Sequence, residues 1–75
     1  MPRSQHSARY KRFCALLVDA RRTKRLTQAE VAHRLGRPQS YVAKYEGGER
    51  RLDVVEFLEV AEALGLQPTM LIRAI

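Results

Sequence analysis

Seventy-five residues, of which 45% are apolar and 29% charged, leave room for one small domain, whose core is marginal unless tightly packed helices or a partner subunit add to it. The longest apolar run, Phe13 to Val18, is six residues, whereas a helix crossing a bilayer needs about 20. The single Cys14 excludes an intrachain disulfide, and with no secretory signal pattern at the start of the chain the expected location is the cytoplasm.

The net charge of +6 is unevenly spread: residues 1 to 45 carry eleven basic side chains against Asp19 and Glu30, for +9, and residues 46 to 75 carry three against six acidic ones, for −3. Such a split suits a protein with one face toward a polyanion. Charge alone does not separate that reading from a merely solvated basic face.

Residues 1 to 7 are polar, contain Pro2 and read as a flexible tail. From Ala8 to about Arg22, Tyr10, Phe13, Leu17 and Ala20 recur at intervals of three and four, which predicts a first helix with one buried stripe. Cys14 lies beside that stripe as a small hydrophobe. Thr27 and Glu30 form a T-x-x-E capping box that starts a second helix, with Val31, Ala32 and Leu35 on its apolar face and Gly36 at its end.

Pro38 opens a third helix over Gln39 to Glu46, with Val42 and Tyr45 inward, and Gly47 and Gly48 stop it. Asp53 with Glu56 repeats the capping pattern ahead of a fourth helix, whose apolar residues are Val55, Phe57, Leu58, Ala61 and Leu64 and which ends at Gly65. Pro68 opens a short fifth helix reaching Ile75. The expected fold is all-α: one compact five-helix domain over residues 8 to 75.

Two short helices joined by a tight Gly-containing turn over Thr27 to Glu46 describe a helix-turn-helix, and an ordinary αα-hairpin is the plainer alternative. The outward positions of the third helix separate the two. Gln39, Ser40, Ala43 and Lys44 are polar or small, unsuited to burial and short enough for close approach. Gln offers a donor and an acceptor together to an adenine edge, and Lys donates to guanine O6 and N7. Gln28 opens the second helix, where free N–H groups attract phosphate. Arg37 and Arg50 would supply nonspecific phosphate attraction. For Tyr41 two placements stay open: ring inward with its hydroxyl toward a phosphate, or direct contact with DNA.

Enzyme motifs are lacking: there is no Gly-rich phosphate loop, no H-E-x-x-H and no convergent Ser, His and acid. His6 and His33 have no metal-ligand companions, so neither a metal nor a cofactor is expected. The last ten residues hold Leu66, Met70, Leu71, Ile72 and Ile75, more apolar surface than one short terminal helix hides in its own domain, which points to burial of some of this 66 to 75 segment in a homodimer; the plainer alternative is that all five pack onto the fourth helix.

The runs LTQAEVAHRLG, QSYVAKYEGGERR and LEVAEALG resemble the XRE/Cro (lambda-repressor-like) helix-turn-helix family of bacterial and phage transcriptional regulators, over about residues 9 to 72. The resemblance implies a lambda-repressor-like fold in which Gln28 holds a backbone phosphate while Gln39, Ser40 and Lys44 face the major groove. It further implies a structural ion pair between Arg21 and Glu46, a turn at Gly48 and a phosphate contact at Arg50. Arg25 departs from the family's usual Gly, so either a non-Gly residue turns left-handed there or the turn differs. Pro38 stands where a Ser or Thr often caps the recognition helix, and Leu52 replaces a frequent Pro. The function implied is a dimeric repressor or controller that binds double-stranded DNA at a near-palindromic operator. An antitoxin that holds a toxin and autoregulates its operon is the competing reading.

Overall fold

The computed structural model describes Ser7 to Ile75, and among these residues the chain forms α1 (Ala8–Thr23), α2 (Gln28–Leu35), α3 (Gln39–Glu46), α4 (Val54–Leu64) and α5 (Pro68–Ala74), with no strand. Of the tail expected over residues 1 to 7, the first six lie outside the described residues. Ser7 itself does not belong to a tail: its hydroxyl accepts from the Tyr10 N–H at 3.1 Å and caps α1.

Local chemistry sets the helix ends. Thr27 and Glu30 exchange side-chain-to-backbone hydrogen bonds of 3.0 and 2.8 Å at the start of α2. Asp53 and Glu56 do the same at α4, at 2.7 and 3.0 Å. Each box satisfies two backbone donors that a helix start leaves open, and loss of such a cap costs about 1 kcal/mol. At their other ends α1 to α4 close alike, with paired bonds of the type Leu26 N–H to Arg21 O and Arg25 N–H to Arg22 O.

This closure needs one residue at positive φ. Gly36, Gly48 and Gly65 fill that position after α2, α3 and α4, but after α1 it is Arg25, at φ 58°. Of the two readings open for this turn the left-handed one holds, and an L-side chain is kept in that region at a cost of about 1 kcal/mol. Arg25→Gly is expected to raise the melting temperature by a few degrees, because relief of that strain outweighs the glycine's added freedom in the unfolded chain. A lower or unchanged midpoint in a thermal melt contradicts this account.

Leu17, Val31, Ala32, Val42, Tyr45, Val60 and Leu64 are buried at the centre of the fold. They come from α1 to α4, and α5 adds Leu71. Helix α2 packs chiefly against α3 and then α4, α1 also crosses α3, and α5 rests on α4. Phe13 stands between Tyr10 and Phe57, with ring centroids 5.6 and 5.4 Å away, and so joins α1 to α4. Cys14 is buried, and that burial raises its thiol pKa, in keeping with an inert packing role.

The apolar pattern of α4 differs from expectation at three positions. Val60 is fully buried, whereas Val55 and Leu58, expected inward, are 64% and 46% exposed, and Val54 is exposed as well. Phe57, Val60, Ala61 and Leu64 already complete the stripe at helical spacing, so Val55 and Leu58 fall to either side of it.

Candidate nucleic-acid interface

Helix α3 divides cleanly by side. Tyr41, Val42 and Tyr45 are sunk in the core, while Gln39, Ser40, Ala43 and Lys44 are all exposed. Two turns of helix are thereby held rigidly by one face and offered to solvent by the other. Pro38 precedes the helix in an extended conformation and provides no side-chain cap.

A chain of hydrogen bonds ties this helix to its neighbours. Arg21 Nε donates to Glu46 Oε2 at 2.7 Å and its second amino group to Oε1 at 3.2 Å, while Nη1 reaches the Leu26 carbonyl at 2.8 Å. Side-chain exposures of 12% and 5% make this a largely desolvated pair. Gln28 Nε2 donates to the same carboxylate at 3.0 Å, and Gln39 Nε2 donates to Gln28 Oε1 at 3.4 Å. The last bond is long and weak, so the Gln39 amide is oriented yet free to exchange it for a base edge. Gln28 is half-buried, and its amide keeps a second N–H for a phosphate at the start of α2.

Arg50 arrives already paired. Its Nη1 and Nη2 donate to Glu56 Oε1 and Oε2 at 3.1 and 2.8 Å. This fork, with the Asp53 N–H on the same carboxylate, holds the Glu56 pKa down to about 2. Arg37 is exposed, and its guanidinium lies 4.5 Å from the centroid of the Tyr41 ring; that of Arg50 lies 4.8 Å away. Tyr41 is only 7% exposed and meets Tyr45 edge-on at 5.7 Å. The ring takes the inward of its two placements, packed in the core with both arginines against it.

The C-terminal segment divides between core and surface. Leu71 is 7% exposed and belongs to the core, with Leu66 packed against it, because α5 lays that face onto the rest of the domain. Ile75 is half-buried near Tyr10 and Phe13, and its carbonyl accepts from Arg9 Nε at 3.2 Å. Met70 and Ile72 remain exposed, at 69% and 57%. Two positions apart, they project roughly 200° apart around the helix and cannot share the centre of one seam. Met70 borders a groove between α1 and α5 lined by Leu16, Ala20 and Ala74, whereas Ile72 joins Leu58, Val54 and Val55 as exposed aliphatics on the packed pair α4 and α5. The α4 residues escaped sequence reading because an apolar residue beside a helical stripe looks the same whether it is covered or bare.

Among the described residues no group of His, Cys, Asp and Glu could hold a metal, and no helix is long and apolar enough to cross a membrane. His6 lies outside the described residues.

A short helix sunk by one face, crossed by its predecessor and presenting an uncapped, polar outer face defines a helix-turn-helix domain. The helix-turn-helix domain family matches residues 12–73, and the chain belongs to that family. It is similar to an XRE-family like protein from Pseudomonas syringae pv. tomato, with 48% identity and a TM-score of 0.86 over 91% of this chain and 83% of that one. The restriction-modification controller protein C.AhdI from Aeromonas hydrophila is 34% identical, with a TM-score of 0.79 over 87% of this chain and 98% of its own. An uncharacterised HTH-type transcriptional regulator of Sinorhizobium fredii, y4dJ, is 42% identical over 52 residues, 69% of this chain and 68% of the relative. The class is thus an XRE-like, DNA-binding helix-turn-helix transcriptional regulator.

Proposed function

We propose that this protein is a sequence-specific repressor or controller that binds double-stranded DNA as a two-fold dimer and reads a near-palindromic operator with α3. The observation that carries the reading is the face of α3: Gln39, Ser40, Ala43 and Lys44 exposed together, with Gln39 oriented through Gln28 and Glu46. Gln39 and Lys44 read base edges, Ser40 and Ala43 permit close approach, and Gln28 anchors a phosphate. The likeness to a restriction-modification controller supports a dedicated controller over an antitoxin.

Dimerisation places two α3 helices about 34 Å apart, one turn of duplex, and so reads symmetric half-sites. Exposed Ile72 and Leu58 on the packed pair α4 and α5 support a seam on that side.

Selection from random duplex DNA at a stated salt concentration tests the reading. Wild type is expected to recover a symmetric motif, and Gln39→Ala with Lys44→Ala to lose preference at the matching positions, by about 1–3 kcal/mol per bidentate contact. Identical preference in wild type and the double variant overturns base readout by α3.

A further inference from the structure

Two guanidinium groups converge on one aromatic ring at the flank of α3. Arg37 comes from the residue before Pro38 and Arg50 from the loop after α3, yet both fold back onto Tyr41, at 4.5 and 4.8 Å from its centroid. Like charges do not gather without cause. Three features hold them: the π-face of a ring fixed in the core, the Glu56 carboxylate that forks onto Arg50, and the T-shaped contact that fixes Tyr41 against Tyr45. A guanidinium over a ring can still donate from its N–H edge: Arg50, whose Nη1 donates to Glu56 and to the Arg51 carbonyl and whose Nη2 donates to Glu56, keeps its Nε–H and one Nη2 hydrogen. Among the described residues, Arg37 has no carboxylate within ion-pair distance, so its donors are uncommitted.

The location gives the cluster a role. It lies beside the start of α3, where Pro38 supplies no side-chain cap and the exposed reading face begins at Gln39. A helix placed in a groove brings the adjoining phosphate strand past this flank.

We propose that Tyr41 is a positioning residue: its ring, with Glu56 behind Arg50, sets Arg37 and Arg50 as a preoriented guanidinium clamp on the DNA phosphate backbone beside the start of α3. The proposal rests on the DNA-binding reading above and adds that the geometry of the guanidinium groups, beyond their charge, governs affinity. Tyr41 touches no DNA in this scheme. It lowers the conformational freedom the two arginines would otherwise lose on binding.

Charge-preserving substitution separates geometry from charge. Lys has the same charge as Arg but neither stacks flat nor donates as a planar fork. The selected duplex is titrated over a range of salt with wild type, Arg37→Lys, Arg50→Lys, Tyr41→Phe and Tyr41→Leu. Tyr41→Phe is expected to bind as wild type, because the ring and not the hydroxyl forms the platform. Arg37→Lys and Tyr41→Leu are expected to weaken binding about tenfold and to flatten the slope of log K against log salt by about one phosphate equivalent, equally for operator and unrelated duplex. Arg50→Lys follows the same direction.

Arg37 is exposed, so Arg37→Lys tests the clamp even if Tyr41→Leu fails to fold. In the free wild-type protein, Arg37 side-chain protons are expected to show upfield ring-current shifts that Tyr41→Phe retains. Wild-type affinity and salt slope in Arg37→Lys, or unshifted Arg37 protons, overturn the clamp while leaving the DNA-binding reading intact. Failure of wild type to bind any duplex at low salt overturns that reading instead.

Discussion

Glu46→Ala is expected to destabilise the domain by about 3 kcal/mol and lower its melting temperature by roughly 12 °C or more. The carboxylate accepts from Arg21 and from Gln28, and its side chain is 5% exposed, so truncation leaves a guanidinium facing an apolar interior without its counter-charge. The cost is large against the 5–15 kcal/mol typical of a whole domain, or about the lower end for one of this size. Arg21→Met with Glu46→Met restores much of the stability, because two apolar side chains remove both charges together. Operator binding does not return with it: Gln28 has lost its acceptor, and Gln39 is no longer oriented through Gln28. Thermal melts and operator titrations of the three proteins check both halves. A Glu46→Ala melt within about 0.5 kcal/mol of wild type shows the pair to be a solvated surface contact.

Ile72→Asp is expected to yield a monomer that binds the full operator about 10²–10⁴-fold more weakly, since each half-site then engages without the effective concentration supplied by its partner. Ile72 is 57% exposed, so an aspartate there costs the folded monomer little. Leu58→Asp follows it if the seam runs along α4 and α5. Met70→Asp, on the opposite flank beside the α1–α5 groove, keeps the dimer. Leu71→Asp serves as the contrast: at 7% exposure it buries a charge and unfolds the domain rather than dissociating it. Sedimentation masses with operator titrations read the result. A dimer that survives Ile72→Asp but not Met70→Asp moves the seam to the groove, and a monomeric wild type that binds its operator in full removes it.

Much of the candidate site is legible in the chain because it depends on local rules. The capping boxes at Thr27 and Asp53 and the Pro38 start are encoded within a few residues of where they act, and each helix has the expected place. The outward set Gln39, Ser40, Ala43 and Lys44 follows from helical spacing about Val42 and Tyr45. Arg25 needed the fold: its neighbours are compatible with either turn, and only the backbone shows the left-handed form.

The Arg21–Glu46 pair came from the resemblance; beyond it, partner choice across the fold was not legible. Arg50 read as a phosphate contact because its charge is plain in the sequence, whereas its fork with Glu56 depends on how the loop after α3 returns to α4. Tyr41 read equally well inward or outward, since an amphipathic ring suits both. Leu71 and Ile72 are adjacent and similarly apolar, yet one is core and the other bare.

By itself, then, the sequence determined the helices, their ends, the turn and the face that α3 turns outward, because hydrophobic periodicity and capping act over three or four residues. The tertiary structure alone decided which apolar residues of α4 and α5 are covered, that Arg50 meets Glu56 and that two arginines share the Tyr41 ring. Those outcomes depend on how the helices and the loop after α3 pack against one another, which no local pattern specifies.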